Sequence, residues 1–137
     1  MAFIQWSKKN CIGVPVVDEQ HQKLFDILNR LHESVVEGLE QSAVFSILDE
    51  LIDYTVYHFN TEEEYFGKYG YEGLKVHKEE HDRLTAQALD LQAKLREGSA
   101  TVTFEILDFL HGWLMDHTTG LDMEFGDFIR EKGITIG

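Results

Sequence analysis

An all-α, antiparallel up-down-up-down four-helix bundle behind an N-terminal arm is the fold that this sequence predicts. Three observations predict it. Apolar residues return at steps of three and four along four long segments, the period of a helix with one buried face. One proline in 137 residues leaves those segments uninterrupted. The links between them are short and mostly carry glycine, and short links between helices of similar length make antiparallel neighbours.

The arm covers residues 1–17 and holds Trp6, Gly13, Pro15 and the lone Cys11. Asp18 is a suitable N-cap for a first helix over about 18–37, ended by Gly38. Its stripe is His21, Leu24, Leu28, Leu31 and Val35. Ser42 can cap a second helix over about 43–66, striped by Val44, Leu48, Leu51, Thr55, His58 and Glu62. A glycine-rich break over 67–73 separates it from a third helix over about 74–96. That third stripe is the clearest: Leu74, His77, His81, Leu84, Ala88, Leu91 and Leu95. Thr101 or Thr103 opens the fourth helix, over about 101–119, with Leu107, Leu110, Leu114, His117 and Leu121 in register. The whole chain, 1–137, reads as one domain.

Composition removes several function classes. There are 25 acidic and 12 basic residues, a net charge of −13, so phosphate backbones and anionic lipid surfaces are repelled. No nucleic-acid or membrane partner is expected. The first residues form no apolar leader and no run approaches a membrane span, so a cytoplasmic location is expected. A single cysteine excludes a disulfide framework and a thiolate zinc finger.

The histidines carry the functional signal. Five of the seven, His21, His58, His77, His81 and His117, fall on apolar stripes, one or more on every helix. Glu62 falls on a stripe one turn after His58, and Asp122 follows His117 by five. In an up-down-up-down bundle, one end gathers the start of helix one, the end of two, the start of three and the end of four. All seven groups belong to that end. Buried without counter-charge they would cost several kcal/mol per ion and about 1–3 kcal/mol per unpaired polar group. Metal ions remove that cost. Imidazole and carboxylate without thiolate suit iron, manganese or zinc. Seven donors exceed what one ion takes, whereas two ions bridged by both carboxylates and one oxygen leave a single coordination position open. One geometric demand follows. Five residues turn a helix by about 500°, so His117 and Asp122 meet one ion pair only if the fourth helix is irregular between them, most easily at Gly120.

The pattern Asp18-Glu19-Gln20-His21, His58-Phe59-x-x-Glu62-Glu63, His77-Lys78-x-Glu80-His81 and His117-x-x-x-x-Asp122 resembles the hemerythrin family, in particular its bacterial single-domain members. The resemblance covers essentially the whole chain. It implies two iron ions bridged by an oxo or hydroxo group and by Glu62 and Asp122, with His77, His81 and His117 on one iron and His21 and His58 on the other. It also implies reversible dioxygen binding at the open position of the second iron, for carriage, storage or sensing without catalytic turnover. By the same resemblance, Leu24, Phe59, Trp113, Leu114, Thr118 and Phe125 would line the dioxygen pocket. Thr118 stands where isoleucine is common, and Phe125 where some relatives have tyrosine. The alternatives are a di-iron enzyme reducing peroxide or nitric oxide, or an interaction module whose signal is the oxidation state.

Other motifs are weaker. His77-Lys78-Glu79-Glu80-His81 also spells an inverted zinc-peptidase signature, but that reading leaves His21, His58 and His117 unexplained. His32 and His111 read as packing or surface residues. The run Glu62-Glu63-Glu64 reads as solvated face except for Glu62.

Overall fold

The computed structural model describes residues 4–6, 12–97, 104–119 and 121–133, without the side chains of 104–105, 118–119 and 121–122. The described residues form five helices and no strand: Pro15–Val36 (α1), Gln41–Lys68 (α2), Leu74–Arg96 (α3), Phe104–Thr119 (α4) and Leu121–Glu131 (α5). Helix α1 packs against α2 and α4, and α2 packs against α3. This is the helical bundle that the periodicity predicts. No helix among the described residues is long and apolar enough to cross a membrane.

Helix α1 starts earlier than its sequence suggests. Val14 occupies the N-cap with extended backbone, and Pro15 takes the first helical position, where its missing N–H costs nothing. Asp18 is therefore inside the first turn rather than at the cap. Its carboxylate accepts hydrogen bonds from the backbone N–H groups of Ile12 (2.7 Å) and Gly13 (3.2 Å), tying the arm to the positive end of the helix. Ser42 likewise lies within α2, whose N-cap is Glu40. The expected openings at Thr101 and Thr103 lie outside the described residues.

The end of α2 shapes the surroundings of the histidines. Gly70 has φ +65°, a conformation that residues with a Cβ rarely adopt, and the Tyr71 N–H reaches back to the Phe66 carbonyl at 2.9 Å. The Tyr71 ring folds onto Phe66, with centroids 5.2 Å apart. Phe66 in turn lies 4.5 Å from the His77 ring, so this helix stop builds one wall of the site.

Two apolar clusters result. The larger gathers Leu24, Leu28, Leu31, Leu48, Leu51, Leu110 and Leu114, among others. The smaller gathers Ile12, Val14, Val17, Phe66, Phe125 and Ile129. Along α1, His21 falls between Val17 and Leu24, and along α2, His58 and Glu62 fall between Ile52 and Phe66. The arm and α5 thus close the end of the bundle with a second core, and the polar layer lies between the two. Ile4 is clamped by Asn29 through two 2.9 Å hydrogen bonds, and Arg130 donates to the Ile12 carbonyl at 3.0 Å.

Gly126 is where the arm and α5 come closest. A Cβ there would stand 2.2 Å from the Ile12 carbonyl oxygen, and that oxygen belongs to backbone that cannot rotate away. Gly126→Ala is expected to destabilise the protein by about 1–3 kcal/mol, lowering its melting temperature by roughly 5–10 °C. A thermal melt checks this, and an unchanged midpoint would mean that the arm is not seated on α5.

Candidate metal centre

Six of the seven expected ligands converge. His21 comes from α1, His58 and Glu62 from α2, His77 and His81 from the first turns of α3, and His117 from the end of α4. None is more than 4% exposed. The Nε2 atoms of His21 and His58 stand 3.0 Å apart. Glu62 Oε1 is approached by Nε2 of His58 (3.0 Å), His117 (3.2 Å) and His81 (3.3 Å). The donors fall into two sets, His21/His58/Glu62/His117 and Glu62/His77/His81/His117, each with its ligand atoms within 4.8 Å of one another. Glu62 and His117 are common to both, so the carboxylate lies between two potential ion positions.

The protonation pattern at His58 shows that a cation fits. His58 Nδ1 lies 2.8 Å from Gln20 Oε1, while the Gln20 amide nitrogen donates to Thr61 Oγ1 at 3.3 Å. Thr61 uses its own proton on the Tyr57 carbonyl, at 3.1 Å. The amide oxygen must therefore accept from His58, which puts the ring proton of neutral His58 on Nδ1 and a lone pair on Nε2. That lone pair faces the Glu62 carboxylate and the His21 ring. A positive ion between them turns a repulsion into two coordinate bonds, and imidazole with carboxylate oxygen suits a divalent first-row metal.

Aromatic rings hold the imidazoles in place. Phe59 stacks on His81 with centroids 3.8 Å apart and planes within 5°. The Trp113 ring is nearly parallel to His117 at 6.0 Å, and Trp6 lies 6.3 Å from His21. An open groove of about 610 Å³ along α3 and α4 reaches His117 and is walled by Glu80, Arg83, Trp113, Asp116 and Glu124.

A family model described as the hemerythrin HHE cation-binding domain matches residues 12–129. The chain belongs to the hemerythrin family. It is 37% identical to the bacteriohemerythrin of Methylococcus capsulatus, over 92% of this chain and 96% of that relative. It is 35% identical to a hemerythrin-like protein of Naegleria gruberi, over 88% of each chain. A wild-type hemerythrin crystal structure superposes with a TM-score of 0.87 at 36% identity, covering 92% of this chain and 97% of that one.

Against the hemerythrin pattern, the side chains of Asp122 and Thr118 lie outside the described residues, as does residue 120, where the helix irregularity is expected. Leu24 and Leu114 are fully buried in the larger cluster, and Phe59 and Trp113 touch the histidines as above. Phe125 packs on Phe66 (4.6 Å) and Tyr71 (5.2 Å) in the smaller cluster. A small apolar cavity of about 30 Å³ is lined by Leu51, Ile52, Thr55, Leu84 and Trp113, among others. His32 and His111 belong to neither donor set. In the peptidase-like motif, Glu80 pairs with Arg83 on the surface, while His77 and His81 join Glu62.

Two residues of the quoted hemerythrin pattern acquire a role only in the structure. The pattern includes Gln20 but gives it no contact, because its partner His58 is 38 positions away. Glu63 departs from the expected solvated face. Its side chain is 19% exposed, with Oε1 held by Lys78 at 3.2 Å and Oε2 standing 3.5 Å from His81 Nδ1.

Burial pushes the His81 pKa below the ordinary imidazole value, against the opposing pull of the Glu62 carboxylate. The folded ring therefore stays neutral and able to bind metal at a pH where an unfolded histidine is protonated. The unfolded state then binds more protons, so stability falls as pH drops below about 6.5 toward the lower folded value. Thermal melts of the purified protein at pH 8 and pH 5.5 are expected to show a lower midpoint in acid. Equal midpoints would mean that burial does not hold His81 neutral.

Proposed function

We propose that this protein holds two iron ions in the buried layer and binds dioxygen reversibly there. The observation that carries the reading is the pair of buried donor sets that share Glu62. His77, His81 and His117 would hold one ion, His21 and His58 the other, with Glu62 and Asp122 bridging. Two ferrous ions supply the two electrons that dioxygen takes when it binds. The chain's own contribution is positional. Gln20 keeps the His58 lone pair directed into the site, Phe59 fixes the plane of His81, and the two apolar clusters bound the layer on either side.

A second reading, a di-iron enzyme reducing peroxide or nitric oxide, draws support from the groove that reaches His117, a route by which a small substrate or donor could approach. Steady-state turnover with peroxide and an electron donor separates the two.

The test is elemental analysis followed by one spectroscopic cycle. About two irons per chain are expected, with a near-ultraviolet and visible band that appears when anaerobically reduced protein meets air and fades when oxygen is removed. One metal per chain, a content dominated by zinc, or a spectrum indifferent to air would overturn the reading.

A further inference from the structure

In the two-iron reading His117 belongs with His77 and His81, so the ligand counts already differ, and a second difference is found behind the pairs His21/His58 and His77/His81. These pairs are backed differently. Behind His58 stands a neutral amide, Gln20, accepting from Nδ1 at 2.8 Å and 5% exposed. Behind His81 stands a carboxylate, Glu63, with Oε2 at 3.5 Å from Nδ1. That distance is long for a hydrogen bond but short for an electrostatic interaction. Lys78 occupies the other carboxylate oxygen and holds it in place.

The group behind a ligating histidine acts through the ring. An anion there strengthens donation from Nε2 and offsets the charge of the ion. An amide orients the ring and adds no charge. Resting on the two-iron reading above, we propose that Glu63 and Gln20 widen the unequal hold that the three-to-two histidine count begins, tightening the ion at His77 and His81 relative to the one at His21 and His58. Both act as positioning residues, through the rings in front of them.

Two isosteric substitutions move the charge without changing shape. Gln20→Glu adds an anion behind His58, and Glu63→Gln removes the one behind His81. The measurement is anaerobic release of iron from the full-length, iron-loaded protein to an excess of a ferrous chelator. Wild type should release its iron in two phases of equal amplitude, with rates at least about tenfold apart. Gln20→Glu should slow the fast phase about tenfold and leave the slow one in place. Glu63→Gln should quicken the slow phase by a similar factor and leave the fast one in place. A merely structural disturbance would move both phases together.

Release in a single phase would overturn the proposal, as would both phases shifting in concert, or either variant leaving its own phase unchanged. If one variant does not accumulate, the other decides. A starting content of one iron per chain would overturn the two-iron reading itself, which keeps the two failures distinct.

Discussion

Iron removal is expected to lower the melting temperature by about 15 °C or more. The layer contains five imidazoles and one carboxylate within 4% of complete burial, and the lone pair of His58 faces the anionic oxygen of Glu62 at 3.0 Å. Without a cation, the Glu62 charge must be met by protons taken up into the layer or the helices must part. A ligand that binds only the folded chain stabilises it by about 4 kcal/mol when present at a thousand times its dissociation constant. At roughly 4 °C per kcal/mol for a chain of this length, that corresponds to a shift of this size. Calorimetry of iron-loaded and chelator-stripped protein at one pH measures it. Coincident midpoints would show that the six side chains satisfy one another unaided, and the argument for metal would lose its physical basis.

Substitution of Glu62 by alanine should be the most damaging single change at the centre. Its carboxylate is the anion shared by both donor sets, and three imidazole nitrogens approach one of its oxygens within 3.3 Å. Removing one partner of a buried charged network costs about 3–5 kcal/mol, because the groups left behind have lost their counter-charge. Iron content is expected to fall from about two per chain to about one or less. Glu79→Gln, an exposed carboxylate on the neighbouring helix, serves as the control and should retain full iron. Elemental analysis of the two variants side by side decides. Full loading of Glu62→Ala would mean that the ions lie elsewhere.

The helices and the six converging donors were legible because their signals are local. Apolar steps of three and four specify a helix from residues within one or two turns of each other. Glycine at 38 and 70 stops a helix through the backbone conformation of that residue itself, and both glycines have positive φ. A histidine on an apolar stripe is legible for the same reason: its position follows from its neighbours. Placing the six described donors at one end needed only the alternation of helix direction, which short links enforce.

What the sequence by itself determined was therefore the bundle, its turns and the residue types brought to one layer. The tertiary structure alone decided what stands behind and around them. Asp18 binds the Ile12 and Gly13 N–H groups instead of capping the helix, because Pro15 starts the helix first. Gln20 meets His58, Glu63 turns toward His81, and Phe125 joins Phe66. Each of these depends on how far two helices slide and rotate against one another. That offset is set by the sum of many weak packing contacts, and no short stretch of sequence contains it.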